Sequence, residues 1–469
     1  MAISKTFVGP RLRQLRREQQ QTQAQMARVL DVSAAYIGLL ESNQRSLSVP
    51  MLMALSDAYG IDWRDLVQDD SANLLADLRH AVQDPVMGGD PPDLQELRGA
   101  LDHAPKLVAQ FLRLHQSHRS ALEKMMRIGE GRVSGEALET APETVIHDFF
   151  RNNRNYFAKL EAAADRIRAE DPCDAHDAYS VLKGRLKRRH DIDVETASIE
   201  SIDQALRVYD RDSNVIRLSE ALDHRNRVFQ LAHVLCMVEL QSVLDEITKG
   251  TDLSASGLAR CHVELANYFA AAYLMPYLPF HAMAEATQYD LDKLSAAFAV
   301  SFEQVGHRLT TLQRDGLHGV PFFFLRVDKA GNVTKRFNAT SFNLAEYGGA
   351  CPVWNIHTSF RTPGVIVPQF VETPDGQRFF TISRTTERPV FSRETQDRRL
   401  ALALGCELKH AGRLGYAAAY NMADPALFSP IGITCHLCPR QACSQRAHQP
   451  LFLDLPINTD RRGNTRYES

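Results

Sequence analysis

Two short helical patterns meet at a tight turn in residues 22–43, and this stretch restricts the fold more than any other. Thr22 with Gln25 three positions later is a capping-box start, in which each residue satisfies a backbone amide of the other. Ala24, Ala27 and Leu30 follow as an apolar stripe that stops at Asp31-Val32. Ser33 can cap a second helix, whose Tyr36, Ile37 and Leu40 recur on one face. Two short helices joined this way, with the small Ala34 and Ala35 opening the second, fit a helix-turn-helix whose second helix lies deep in a DNA major groove. A helix pair has no core of its own, so it needs supporting helices. Residues 11–20 supply one, with Leu12 and Leu15 inward. Pro50 opens another (Met51, Leu52, Ala54, Leu55, Ala58), which ends at Tyr59-Gly60, and a fifth starts at Asp62.

At 469 residues the chain is long enough for roughly three domains. Its 44% hydrophobic and 24% charged residues are those of a soluble globular protein. No apolar run approaches the roughly 18 to 20 residues of a membrane span, and the N-terminus lacks a signal-peptide core, so a cytoplasmic protein without membrane contact is expected. The net charge of −3 means that any nucleic-acid footprint must be local. The first 66 residues carry eight Lys or Arg against six Asp or Glu, a surplus of +2, and Arg11, Arg13, Arg16 and Arg17 could face phosphates. Eight cysteines in a cytoplasmic chain point to metal ligands or buried thiols rather than disulfides.

The five-helix order closely resembles the XRE/Cro/C1-type DNA-binding domain over about residues 8–68. Thr22-Gln23 and Glu41-x-Asn43-x-Arg45 carry the match. Many relatives have Gly where Asn43 stands, and Asn also tolerates a left-handed backbone. The resemblance implies DNA contacts from Gln23, Ser33, Ala34, Ala35, Tyr36, Asn43, Gln44 and Arg45.

Asp84-Pro85, Gly88-Gly89 and Pro91-Pro92 form a breaker-rich linker. Helical patterns run from Leu94 to about Ile128 and over residues 143–169, as core or dimer interface. Val208-Tyr209 and Val215–Leu218 flank Asp212-Ser213-Asn214 as a hairpin. Helices follow at residues 225–244 and 258–274, and residues 291–314 repeat a helix-turn-helix cadence that reads as structural. The hairpin, Phe229-Gln230-Leu231-Ala232-His233, Glu264–Ala270 and Leu274-Met275-Pro276 together resemble the ImmA/IrrE-like metallopeptidase domain. Working members place two histidines one helical turn apart on zinc, with a glutamate as general base. Here Val234 follows His233 and Met237 stands four residues on, so the centre cannot form. Glu264 lies near the slot of the third ligand. His233 reads as a core or pocket residue.

Beyond Gly316 the chain turns strand-rich, with hairpins over residues 321–337 and 365–383. Cys435-His436-Leu437-Cys438-Pro439-Arg440-Gln441-Ala442-Cys443 then sets three thiols on a loop, with Cys406 the nearest upstream candidate for a fourth. Thiolates so close repel one another without a cation, so a metal centre is expected. One distant and three clustered cysteines suit an iron–sulfur cluster at least as well as zinc, for which His410, His436 and His448 are alternative ligands.

The order of XRE-like head, ImmA/IrrE-like middle without its zinc motif, and Cys loop followed by Gln445-Arg446-Ala447 resembles the short-chain fatty acyl transcriptional regulator (RamB/PrpR-like) family. The resemblance implies a homodimeric sensor on a double-stranded DNA operator. Short-chain acyl-CoA, propionyl-CoA or acetyl-CoA, would bind the degenerate peptidase-like domain, and the cysteines would hold a [4Fe-4S] cluster. CoA phosphates need cations, and the basic run Lys183, Arg185, Lys187, Arg188 and Arg189, with Arg308 and Arg314, offers them beside Tyr268 and Tyr273. Lys187, Arg189, Tyr268 and Arg308 are the ligand residues so chosen, and Cys406, Cys435, Cys438 and Cys443 the metal ligands.

The expected protein is therefore multidomain, mainly α with an α+β C-terminal part. Residues 1–70 form the DNA-binding head, 71–142 a helical linker or dimerisation region, 143–315 the sensing domain, and 316–469 an antiparallel sheet with helices and the metal loop. It is expected not to be an enzyme. A redox-responsive transcription factor and a zinc peptidase cleaving a regulatory partner are the alternatives.

Overall fold

The computed structural model describes residues 12–13, 15–16, 19, 21–41, 45, 48–59, 70–88, 90–129, 142–251, 253–342, 350–391, 398–451, 453–455, 460 and 465. It divides into two compact units, residues 1–121 and 122–469.

In the first unit the helix pair is Gln23–Val29 and Ala34–Glu41. The capping box is present: Gln25 N donates to Thr22 Oγ1 at 3.3 Å, and Thr22 N to Gln25 Oε1 at 2.8 Å. Asp31 takes a left-handed backbone at the turn, and Ser33 Oγ accepts from Tyr36 N at 3.1 Å to start the second helix. Met26, Ala27, Leu30, Ile37 and Leu40 bury their side chains against Leu12, Leu15, Met51 and Leu55. The supporting helix is Val49–Tyr59, with Pro50 in its first turn; the helix expected from Asp62 lies outside the described residues. Helices Asp70–Val82, Leu94–His103 and Pro105–Gly129 follow. Pro105 lacks the amide that would continue the preceding helix, so the helical patterns expected from Leu94 to about Ile128 form two helices that part there.

The second unit has a helical layer and two principal sheets. Residues 143–169 form two helices, Pro142–Asn152 and Ala158–Glu170, and Ala178–His190 follows. Strands β1 (Asp193–Ala197), β2 (Arg207–Asp210) and β3 (Val215–Ser219) make a sheet of order β1-β3-β2. The β2–β3 hairpin is the expected one, whereas β1, parallel to β3, carries no clear period-2 pattern. The segment expected as one helix over 225–244 is His224–Glu239 and Gln241–Ile247, bent by 79° at Leu240. Ala255–Leu274 packs along the first of these, and Leu291–Ala297 with Phe302–Leu309 form the buried, structural helix pair.

After the short hairpin β4 (Gln313–Arg314) and β5 (Leu317–His318) come β6 (Phe323–Val327), β7 (Val333–Asn338), β8 (Val367–Glu372), β9 (Arg378–Thr386), β10 (Leu400–Glu407) and β11 (Phe428–Pro430). They build a six-stranded sheet of order β11-β8-β9-β10-β6-β7, antiparallel except for β11 beside β8. Alternation along each strand divides its side chains between two cores. Phe324, Phe337, Phe380, Ile382, Leu402, Leu404 and Cys406 join the core of the helices of residues 143–315. Phe323, Leu325, Phe379, Ala401 and Ala403 face Phe342, Cys351, Trp354, Ile356 and Ile431 on the other side. The two expected domains, 143–315 and 316–469, thus share a continuous core. Among the described residues no single helix is long and apolar enough to cross a membrane.

Candidate functional site

The exposed start of the Ala34–Glu41 helix is the candidate DNA-reading surface. Ser33, Ala34 and Ala35 are exposed and Tyr36 half-buried, while Ile37 and Leu40 anchor the opposite face. The exposed Arg45 places its guanidinium over the Tyr36 ring, 5.2 Å from the centroid. Asn43 and Gln44 lie outside the described residues. Glu41, at the end of the helix, is buried and takes two hydrogen bonds from Arg16, at 2.5 and 3.0 Å, and one from Gln23 at 2.9 Å. Burial works to raise the Glu41 carboxyl, but the bonds from Arg16 and Gln23 outweigh it and hold the group below its usual range. Arg16 therefore fixes the helix pair rather than facing phosphate, which corrects its expected role. Gln23 is exposed but partly committed to Glu41.

In the former peptidase cleft, the charge that a metal would supply comes from side chains. Arg207 Nη1 lies 3.1 Å from His233 Nδ1 and also donates to the Gln230 carbonyl. Lys335 Nζ lies 3.2 Å from Glu264. Burial first, and then the charge of Arg207, brings His233 down to about 4, so the imidazole is neutral. Burial would raise Glu264, but Lys335 holds it below the usual carboxylate range. A cation beside each of the two relic ligands opposes entry of a metal ion.

Beside this relic are two adjoining cavities. The inner one, about 210 Å³, is walled by Phe229, Phe324, Leu206 and Leu222 with Lys335, Arg326 and His307. The outer one, about 720 Å³ and more open, is lined by Lys329, Arg388, Arg398 and Arg399 with, among the described residues, a single acid, Asp328. Leu206, Arg388 and Pro389 belong to both walls.

The four ligand residues expected from the sequence line neither cavity. Arg308 and Tyr268 are fully buried. Arg308 grips Glu161 through two bonds of 2.6 and 3.0 Å and also donates to the Met275 carbonyl, while Tyr268 donates to the same carboxylate at 2.6 Å. This satisfied network welds helices together and leaves no room for a ligand. Lys187 pairs with Asp191 and Asp193, and Arg189 with Glu170, on the outer face of their helix. A run of like charges in sequence became solvated ion pairs. The cations that do line the outer cavity, Lys329, Arg388, Arg398 and Arg399, come from two separate loops, so only the fold assembles them.

The cysteine loop also departs from expectation. Cys406 sits near the end of β10, fully buried on the helix-facing side, where burial pushes its thiol well up. The loop lies toward the other face, where Cys351 and Ile431 are. Cys351 is the thiol that joins the loop: its Sγ accepts from Gly432 N at 3.3 Å, and after burial the nearby Cys435 and Cys438 push it up further. Gly432 is required there, because a Cβ would stand 2.7 Å from Cys438 Sγ. Arg446, also buried, donates to the carbonyls of Cys435, Cys438 and His448 at 3.3 Å and to that of Arg440. Its Nε has no partner. His436 stacks on His448 with centroids 4.4 Å apart. Among the described residues no three His, Cys, Asp or Glu side chains already converge on a single ion.

Comparison with known proteins agrees with this arrangement. The helix-turn-helix profile matches residues 12–66, the IrrE N-terminal-like domain residues 187–310, and the short-chain fatty acyl coenzyme A regulator C-terminal domain residues 311–467. The chain is 37% identical to the propionyl-CoA carboxylase regulator of Cereibacter sphaeroides, over 99% of both chains. It is 35% identical to the HTH-type transcriptional regulator RamB of Mycobacterium tuberculosis, over 98% of both. The regulator PrpR of the same organism is 35% identical, over 99% of this chain and 96% of PrpR. A solved Mycobacterium tuberculosis transcriptional regulator superposes with a TM-score of 0.66 at 36% identity, covering 70% of this chain and all of the other. With its helix-turn-helix head, its disarmed peptidase-like cleft and its full-length relatives, the chain belongs to the short-chain fatty acyl coenzyme A regulator family of helix-turn-helix transcriptional regulators.

Proposed function

We propose that this protein senses a short-chain acyl-CoA, propionyl-CoA or acetyl-CoA, and controls genes of short-chain fatty acid and propionate metabolism. It acts as a homodimer on a two-fold DNA operator and is not an enzyme. The observation that carries the reading is the pair of joined cavities. The outer one gathers cations suited to the CoA phosphates, and the smaller, partly aromatic inner one suits a short acyl chain. The names of the relatives favour the same ligand class: one is a propionyl-CoA carboxylase regulator. Binding would shift DNA affinity only if the ligand prefers one of two states of the protein. Val234 follows His233 and Met237 stands one turn on, so the cleft lacks the glutamate and second histidine of the peptidase set.

Cys351, Cys435, Cys438 and Cys443 would hold a [4Fe-4S] cluster, with structural zinc as the alternative. Two observations support a thiolate-bound group. Four thiols occupy one face of the sheet and its loop, and the buried Arg446 guanidinium has no carboxylate partner among the described residues, with its Nε unpaired. A buried cation of this kind is stabilised by a neighbouring anionic centre. The loop must close around the group, since the thiols do not yet converge. A cluster would add redox responsiveness to the same switch.

Calorimetric titration of the full chain with propionyl-CoA, acetyl-CoA and free CoA tests the sensor. Binding of an acyl-CoA that weakens at least about tenfold in the Arg398→Glu, Arg399→Glu double variant is the expected result. Absence of binding by all three ligands would defeat the proposal.

A further inference from the structure

Several polar groups around the inner cavity are matched to partners. Arg326 pairs with Glu303 at 2.6 Å and Lys335 with Glu264 at 3.2 Å, Asn267 donates to Glu264 at 3.3 Å, and Gln304 closes a capping box with Ser301. His307 differs. It lines the cavity, it is 6% exposed, and its Nε2, itself buried, has no hydrogen-bond partner among the described residues. The ring rests on Phe337, with centroids 4.3 Å apart, which fixes its plane. Burial first, then the cations Lys335 and Arg308, hold its pKa well below the ordinary imidazole value. The ring is therefore neutral at physiological pH and can present one N–H. A buried polar atom left unpaired costs stability, so its persistence beside a cavity points to a partner that arrives with a ligand.

We infer that His307 is a specificity-determining residue of the acyl-CoA site, donating a hydrogen bond to the thioester carbonyl oxygen of the bound acyl group. The inference rests on the acyl-CoA reading above and adds which ligand atom is recognised. A neutral N–H suits an uncharged carbonyl. The wall cations Arg326, Lys335 and Arg388 each have a carboxylate within 3.9 Å, Glu303 beside the first and last and Glu264 beside the second, so a second carboxylate on the acyl chain finds no cation without an acid beside it. The cavity thus favours a simple acyl chain over a dicarboxylic one. Free CoA lacks the carbonyl and leaves His307 unpaired, so the site separates acylated from unacylated CoA by a difference in affinity.

The test uses the full chain and four ligands: propionyl-CoA, succinyl-CoA, free CoA and the thioether S-propyl-CoA, which keeps the chain but lacks the carbonyl. The wild type should bind propionyl-CoA about tenfold more tightly than the thioether, the worth of one hydrogen bond. Succinyl-CoA should bind more weakly than propionyl-CoA. In His307→Leu the thioester and thioether should bind within about threefold of each other, with free CoA unchanged, and His307→Gln, which keeps a donor, should restore part of the gap. Equal binding of thioester and thioether by the wild type overturns the inference without any variant, as does an unchanged ratio in a folded His307→Leu protein. Failure of the wild type to bind any acyl-CoA would instead remove the underlying sensor reading.

Discussion

Arg207 and His233 face each other nitrogen to nitrogen at 3.1 Å, where a peptidase of this architecture would hold a metal. The guanidinium can only donate, so the imidazole nitrogen accepts, and a proton on that nitrogen would break the contact. This fixes the direction of its pH response. Folded His233 titrates near 4, against about 6.5 in the unfolded chain, so the unfolded state takes up the proton first. The stability it contributes is complete above about pH 6.5 and is lost as pH falls toward about 4, amounting to about 3 kcal/mol for this group. His307, also held low, acts in the same direction. Thermal melts of the wild type and His233→Asn at steps from pH 7 to 4.5 should show the wild type losing more stability; parallel curves would contradict the assignment.

The buried Arg308–Glu161 pair predicts a cost for removing either partner alone. Arg308→Met leaves a carboxylate 2% exposed without its cation, and the expected loss is about 3 to 5 kcal/mol. The double variant Arg308→Met, Glu161→Leu should recover most of it, because two charges are removed together. Denaturant unfolding measures both. Acyl-CoA affinity per folded molecule should be unchanged, since neither residue lines a cavity.

At the head, Ala35→Glu puts a carboxylate on the exposed face of the candidate recognition helix, where it would meet DNA phosphate and base acceptors. Operator binding should fall by at least about a hundredfold with circular dichroism and acyl-CoA titration unchanged. Arg45→Ala should weaken binding more modestly and flatten its salt dependence. Retention of full operator affinity by Ala35→Glu would move the DNA surface elsewhere.

Cys351 and Cys406 make opposite predictions. Cys351 shares a sheet face with the loop, while Cys406 points into the helical core. Anaerobically purified Cys351→Ser should lose most of its iron and sulfide, or its zinc, and Cys406→Ala should keep them. The reverse pattern would restore the ligand set expected from the sequence.

Legibility followed the range of the interaction. The head was readable because caps, turn and apolar stripe lie within a few residues: Thr22 with Gln25, Ser33 with Tyr36, Ile37 with Leu40. The β2–β3, β6–β7 and β8–β9 hairpins were readable for the same reason. The absence of the zinc-peptidase motif was legible at His233, where Val234 and Met237 stand in place of its glutamate and second histidine.

Contacts that cross the chain were not legible. Nothing local pairs Arg308 with Glu161, 147 residues away, or assembles Lys329, Arg398 and Arg399 around one cavity. Nor does spacing tell which face of a sheet a cysteine occupies; a shift of one position along β10 sends a side chain to the opposite core. The sequence by itself determined a helix-turn-helix head, a disarmed peptidase-like middle and a thiol-rich loop, because each is written in neighbouring residues. Only the tertiary structure decided which cations are spent on structure, which surround a cavity, and which thiol meets the loop, because burial and pairing are properties of residues that folding brings together.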